Sequence, residues 1–220
     1  MRRAASRPRE PELPRALEHG ELAELAHDAS IGEIELRGLS LAGQHAKGVT
    51  LNTIELSDCD LSGSRMEHLR ILDGTLGDCN LANLQARGAT FTRVAIERGR
   101  LTGIDLAEAT LCDVAFRDCR IDLASFRGAR LERVTFADCA LSQTDFLEAR
   151  LDSVCFDRCD LRGIDLREAR LQACELRRND LTGMQGVESL RGAALEWTDI
   201  VDMAAVWAAA LGIEVLDDEV

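Results

Sequence analysis

The strongest constraint in this sequence is an apolar period of five residues. Every fifth position from Leu36 to Leu181 gives thirty positions, and twenty-eight of them are Leu, Ile, Phe or Met. The other two are Ala46 and Ala86, and all six Phe residues fall in this register. A period of five fits neither the 3.6-residue repeat of a helix nor the two-residue repeat of a strand. The chain must therefore turn every five residues.

Residues twenty positions apart share an environment. Two residues before the apolar centres, three ladders of like side chains recur at this spacing. The ladders are Ala89, Ala109, Ala129, Ala149 and Ala169; Val94, Val114, Val134 and Val154; and Cys59, Cys79, Cys119, Cys139 and Cys159. Such ladders require residues i and i+20 to stack, so the sequence predicts a coil of four five-residue repeats. No proline follows Pro14 and no insertion breaks the register, which predicts a shaft without kinks or loops.

Individual repeats resemble a known motif. The segments CNLAN at 79–83, ARLER at 129–133 and CDLRG at 159–163 are similar to A(D/N)LXX, the motif of the pentapeptide-repeat family. The resemblance covers about residues 31–183 and implies an all-β solenoid, a right-handed quadrilateral β-helix of about 7.5 coils. Residues 190–215 are similar to the C-terminal module of actinobacterial pentapeptide-repeat proteins. These include a fluoroquinolone-resistance type, in which the module joins two shafts end to end.

The segments that flank the repeats are expected to cap the shaft, because its ends would otherwise expose unpaired backbone and apolar core. Residues 1–30 are expected to form a flexible lead and a short amphipathic helix over about 15–27. Residues 184–220 are expected to form a helical cap and dimerisation module, with a helix over about 200–211, Asp199 as N-cap and Gly212 at C′.

The predicted C-terminal helix has almost no polar face, and a helix that is apolar all round must be covered on both sides. One side would meet the last coil and the other a second copy of the chain. The candidate dimer interface is Ile200, Val201, Met203, Ala204, Trp207 and Leu211. The alternative is that small alanines are tolerated at the surface.

The sequence predicts no catalytic or ligand-binding chemistry. None of the four His residues lies in a nucleophile-activating motif, and no phosphate-binding loop occurs, so we expect no catalytic, cofactor-binding or metal site and no enzyme. Thiols that point inward along one wall do not converge as zinc ligands must, so the Cys ladder is interpreted as core packing. Cys112 and Cys155 are expected at outward positions, either as incidental surface residues or as reactive thiols. The sequence shows neither a membrane span nor a secretory signal, which predicts a cytoplasmic protein with reduced thiols.

Function is then expected to depend on the surface, and the formal net charge is −13. One predicted face carries a candidate acidic docking stripe, although Lys47, Arg127 and Arg167 lie on the same face. The stripe consists of Asp105, Glu108, Asp145, Glu148, Asp165 and Glu168. By family resemblance, such rows imply a mimic of DNA phosphates that binds DNA gyrase or another type II topoisomerase and protects it from quinolones, without binding nucleic acid or membrane itself. The alternative is a scaffold that binds another cytosolic protein.

Overall fold

The fold is an elongated solenoid of parallel strands, seen in a computed structural model that describes residues 5–22 and 24–214. Twelve strands form one sheet system. They are β1 (Glu18–His19), β2 (Ser30–Arg37), β3 (Thr50–Ser57), β4 (Arg70–Gly77), β5 (Thr90–Glu97), β6 (Thr110–Arg117), β7 (Arg130–Ala137), β8 (Arg150–Asp152), β9 (Cys155–Asp157), β10 (Arg170–Gln172), β11 (Glu175–Arg177) and β12 (Ala194–Leu195).

Successive coils stack in the twenty-residue register that the sequence predicts. Leu56 pairs with Leu76, and Phe116 pairs with Phe136, in parallel ladders from one coil to the next. The stack contains ten strands in order and makes about nine turns. This exceeds the expected 7.5 coils because both flanking segments add a strand, β1 against β2 and β12 against β11.

The chain turns at the residue two positions after each apolar centre. Gly63, Asn83 and Asp78 occupy this position with φ of 64°, 55° and 55°, and the same left-handed value recurs along the shaft. Between Leu61 and Ala169, two corners of each coil also close with a turn hydrogen bond, such as Leu84 N–H to the Leu81 carbonyl at 3.2 Å. Positive φ costs least for Gly, Asn and Asp, which explains why these residues are frequent at the corners.

The core is a single column enclosed by the four walls. All thirty centres are buried except Leu171, which is partly buried. Phe116, Phe136 and Phe156 stack face to face along one wall, with ring centroids 4.8 and 5.0 Å apart. Thiols of the Cys ladder form hydrogen bonds within their wall. Cys59, for example, donates its thiol hydrogen to the Leu36 carbonyl of the preceding coil at 3.5 Å. The prediction that these thiols are core residues is confirmed by their burial.

The expected helix over 15–27 is wrong. The structure places β1 there, with Glu18 paired to Ile34, and no described residue of this segment is helical. Leu25 is buried and Leu22 packs against the core, so the apolar residues close the first coil instead of forming a helical stripe. Residues 5–14 are not a free lead either, because they lie against the shaft. Residues 1–4 and 23 fall outside the described part of the chain.

The solenoid ends at Gly186, where the five-residue period fails. Its φ is 77°, and a Cβ atom there would lie 2.3 Å from the backbone nitrogen of Arg167, so only glycine fits. A 3₁₀ turn (Val187–Leu190), β12, and the helices α1 (Trp197–Asp202) and α2 (Ala204–Ala210) follow. No helix in the described ranges is long and apolar enough to span a membrane.

The C-terminal helix differs from the prediction at its start. It begins at Trp197 after Glu196, and it breaks at Met203. Asp199 is therefore not the N-cap. Its buried carboxylate instead accepts the Arg178 N–H at 3.1 Å, which satisfies a donor at the open edge of the last coil. Gly212 does lie at C′, with φ of 70°.

Candidate docking surfaces

The acidic stripe is brought together by the coil register. Asp105, Ser125, Asp145 and Asp165 pair in sequence along one wall of the shaft. Glu108, Glu148 and Glu168 occupy the corner that ends this wall, with φ near 60°, and all three are exposed. The six predicted residues thus form two adjacent columns on one face.

The aspartate column has a local structural role. Asp105, Asp145 and Asp165 each accept the backbone N–H two residues later, at 2.9, 2.8 and 3.0 Å. This is the Asx-turn arrangement, in which a short acidic side chain substitutes for a backbone acceptor. The same contact at Asp60 and Asp160 shows that the Asp/Asn position of the repeat stabilises its turn wherever it occurs.

Arginines neutralise much of the stripe. Arg127 pairs with Asp145 at 2.9 Å, Arg167 pairs with Asp165 at 2.6 Å, and Arg87 pairs with Glu108. The hydrogen bond from Arg167 lowers the pKa of Asp165, which keeps that carboxylate ionised. Among the described residues, Glu148 and Glu168 alone in the stripe make neither an ion pair nor a turn contact.

The C-terminal module presents an apolar surface at the end of the shaft. Met203 is buried and Trp207 packs partly against the core, so these two candidate interface residues face the last coil. Ile200, Val201 and Leu211 are exposed at 38%, 53% and 76%, and Ala204 is also exposed. Sequence reasoning missed two further exposed apolar residues of this module, Trp197 at 76% and Ile213 at 55%. Residues 215–220 of the predicted module lie outside the described chain.

A third surface was not predicted and is formed by residues 5–14, here called the strap. The strap lies along the face that carries Asp73, Asp113 and Glu175, and its backbone donates hydrogen bonds to all three carboxylates. The sequence signal was the alternation of Asp73, Arg93, Asp113 and Arg133 at twenty-residue spacing, which stacks opposite charges on one corner.

The two outward cysteines are poorly suited to nucleophilic chemistry. Burial raises the pKa of both Cys112 and Cys155, although Arg133 opposes this at Cys112. In the ladder, burial raises the pKa of Cys79 to about 12. A thiol with a raised pKa is less often a thiolate at neutral pH. The described residues contain no group of three or more His, Cys, Asp or Glu that could hold a metal ion.

A family model matches part of the repeat. The model of the family described as pentapeptide repeat region matches residues 109–185. A search of curated proteins found no match. Trypsin-treated QnrB1, a plasmid-mediated fluoroquinolone resistance protein, is 16% identical over 89% of this chain and 100% of its own, with a TM-score of 0.39.

HetL, a pentapeptide repeat protein involved in heterocyst differentiation regulation from the cyanobacterium Nostoc sp. strain PCC 7120, is 20% identical. That match covers 76% of this chain and 87% of HetL, with a TM-score of 0.33. Both likenesses are too distant to bear on function. The family match lies wholly within the twenty-residue coils described above, and it identifies residues 109–185 as a pentapeptide repeat region.

Proposed function

We propose that this chain is a non-enzymatic, cytoplasmic protein-binding shaft whose acidic stripe docks onto the DNA-binding surface of a type II topoisomerase such as DNA gyrase. The observation that carries the proposal is the in-register stacking of the stripe on a rigid shaft, where Asp145 and Asp165 lie one coil apart. Fixed rows of carboxylates at the ~4.8 Å spacing of stacked strands can meet Lys and Arg side chains that otherwise hold phosphates. A net charge of −13 disfavours direct binding to nucleic acid.

The charge density of the stripe limits the mimicry. Duplex DNA carries one charge per ~1.7 Å of its axis. From coil 105 to coil 165 the stripe spans three coil spacings, or ~14 Å, and its six carboxylates face three arginines. The net density is therefore one charge per ~5 Å, about a third of that of DNA. This specific observation favours the second candidate function, a scaffold that binds a different protein through a local patch.

We also propose that two shafts associate through the C-terminal module. Trp197, Val201 and Leu211 form an exposed apolar surface beyond the last coil. Met203 and Trp207 are on the side of the module that packs against the core, so the exposed side chains lie on the opposite side. A homodimer would double the length of the acidic face. A ligand that imitates DNA needs such a long row of anions.

The test is inhibition of gyrase supercoiling, measured with and without a quinolone and at increasing salt. The stripe variant is Glu148→Lys with Glu168→Lys, because these side chains are exposed and form no ion pair with a described residue. The control is Asp58→Lys with Asp118→Lys. Those residues lie at equivalent corners of another face, with φ of 54° and 52°, and make no ion pair with a described residue.

We expect the wild type to inhibit gyrase more weakly as salt rises, because counterions screen the charges. The stripe variant should weaken inhibition at least tenfold, roughly 1.4 kcal/mol, and the control should change little. A wild type that neither inhibits nor protects gyrase at tens of micromolar would refute topoisomerase binding and would favour the scaffold function. Equal effects of the two variants would show that the stripe is not the docking surface.

A further inference from the structure

The strap is bound to the shaft as an extended peptide would be. Ala5 donates its N–H to Glu175 at 3.2 Å, Arg9 to Asp113 at 3.1 Å and Glu12 to Asp73 at 2.9 Å. The strap therefore runs against the direction of coiling, from the late coils toward the first. No described residue of the strap is in a helix or a strand ladder, and Pro8, Pro11 and Pro14 favour an extended conformation.

The three contacts are spaced so that an extended peptide reaches from one carboxylate to the next along the stacked coils. From Ala5 to Arg9 an extended peptide covers ~13 Å, against ~14 Å for the three coils between Glu175 and Asp113. From Arg9 to Glu12 it covers ~10 Å, against ~10 Å for the two coils between Asp113 and Asp73. A carboxylate thus meets a backbone donor at each step, in a register that any extended peptide can adopt.

The face beneath the strap is a groove with a floor of small side chains. Ala95, Ala115, Thr135 and Cys155 pair along successive coils, whereas the equivalent positions of a neighbouring face carry Arg130, Arg150 and Arg170. Between this floor and the strap lies a cavity of about 460 Å³, lined on one side by residues 5–11. The strap therefore occupies the groove without filling it.

Asp113 is the selective element of the groove. Its side chain is fully buried, and it accepts hydrogen bonds from Arg133 of the next coil at 2.7 and 2.9 Å. Arg9 adds a second guanidinium, with Nε at 2.9 Å and its terminal nitrogen at 2.7 Å from Oδ2. Within the described ranges, the cross-coil pairs Asp78–Arg98 and Asp138–Arg158 have no such second guanidinium, and their carboxylates are about half exposed.

The strap is held by few interactions. Three backbone hydrogen bonds, the Arg9–Asp113 pair and a 4.0 Å contact between Arg93 and Glu12 fix its ten described residues, and the Arg9 side chain remains 63% exposed. The strap has one advantage over a free peptide, which is its covalent link to β1. A short tether gives the strap an effective concentration at the groove on the order of millimolar. A free peptide with additional contacts to the unfilled floor can compete with a ligand held in this way.

We propose that this groove is a docking site for an extended, arginine-bearing, proline-containing peptide of a partner protein, and that the strap occupies the site in cis until such a peptide displaces it. The partner's arginine takes the position of Arg9 on Asp113, and its backbone N–H groups take those of Ala5 and Glu12. The site lies on a different face from the acidic stripe, so it goes beyond the proposed function and does not depend on it.

The experiment uses a fluorescein-labelled peptide with the sequence of residues 5–14, titrated into the full chain and followed by anisotropy. Arg9→Ala in the chain weakens the strap, so this variant should bind the peptide at least tenfold more tightly than the wild type. Adding Asp113→Asn should abolish that binding. Adding Asp138→Asn instead is the matched control, because it removes the same kind of cross-coil carboxylate on an uncovered corner, and binding should persist.

A second arm keeps the chain unchanged, in case Asp113→Asn impairs folding. The same labelled peptide with alanine at the position of Arg9 should not bind the Arg9→Ala chain. No binding of the unmodified peptide to that chain up to 1 mM would overturn the proposal, as would equal binding of the two peptides. Equal affinities of wild type and Arg9→Ala would refute occupation in cis. Peptide affinity that tracks self-association of the chain would assign the groove to a second copy and also overturn the proposal.

Discussion

Replacing Phe136 by Ala should destabilise the shaft more than almost any other single change. The ring is fully buried, stacked between Phe116 and Phe156 and edge-on to Phe126 and Phe146 at 6.1 and 6.4 Å. A Phe→Ala change in a core costs ~3–5 kcal/mol, and each aromatic pair contributes ~0.5–1.5 kcal/mol beyond its area. Because hydrogen-bonded coils above and below hold the walls apart, the cavity cannot collapse, and we expect the upper end of that range.

The assay is urea unfolding followed by far-UV circular dichroism, with the slope m compared between variants. The control is Arg130→Ala, because Arg130 is exposed and forms no ion pair with a described residue, so its effect should stay within ~0.5 kcal/mol. Arg127 would be a poorer control, since it pairs with Asp145. Both tryptophans lie in the C-terminal module, so their fluorescence reports the cap separately from the shaft.

Coincident transitions by the two signals would justify a single free energy of unfolding, whereas repeat shafts can lose cooperativity. Equal, small effects of Phe136→Ala and Arg130→Ala would refute the assignment of the five-residue centres to the interior. A large loss at Phe136 with an unchanged m would support it.

Two further predictions concern the module and the strap. Leu211→Glu with Val201→Glu should convert a dimer into monomers by light scattering without loss of circular dichroism, because both side chains are exposed; a wild type that is monomeric at tens of micromolar would contradict the dimer. For Asp113, burial opposes ionisation, but hydrogen bonds from Arg133 and Arg9 outweigh it and lower the pKa. The stability from this depressed pKa is present above the unfolded value of about 4 and is lost as pH falls through the folded value, so the difference in urea midpoint between wild type and Asp113→Asn should be constant from pH 7 to 5 and shrink below pH 4.

The shaft could be predicted from the sequence because its physics is local and periodic. Each centre points inward, each corner follows two residues later, and the twenty-residue ladder fixes which residues stack. Phe116, Phe136 and Phe156 are centres spaced by twenty residues, so the period by itself implies the column in which they stack. No long-range information beyond the period was needed, which is unusual for a sheet protein.

The terminal segments could not be predicted in the same way, because tertiary packing overrode their local pattern. Residues 15–27 resemble a short amphipathic helix in sequence, yet pairing of Glu18 with Ile34 and burial of Leu25 close a coil end that a helix would leave unpaired. Asp199 has the residue type of an N-cap, but the last coil offers it the N–H of Arg178. In both places the exposed edge of the solenoid decided the structure.

The same stacking rule determines which charges a partner can meet. Residues i and i+20 lie side by side, so opposite charges at that spacing pair within the shaft, as Asp78 with Arg98 and Asp138 with Arg158 do. Acidic residues at the Asp/Asn position of the repeat are engaged in their own turns. A count of the acidic residues along one face therefore overstates the negative potential that a partner meets, because most of those carboxylates already have partners within the shaft. Recognition of the stripe then depends chiefly on Glu148 and Glu168, whose exposed side chains form neither an ion pair nor an Asx-turn hydrogen bond with any described residue. A partner that requires a denser row of anions has to find it across two joined shafts.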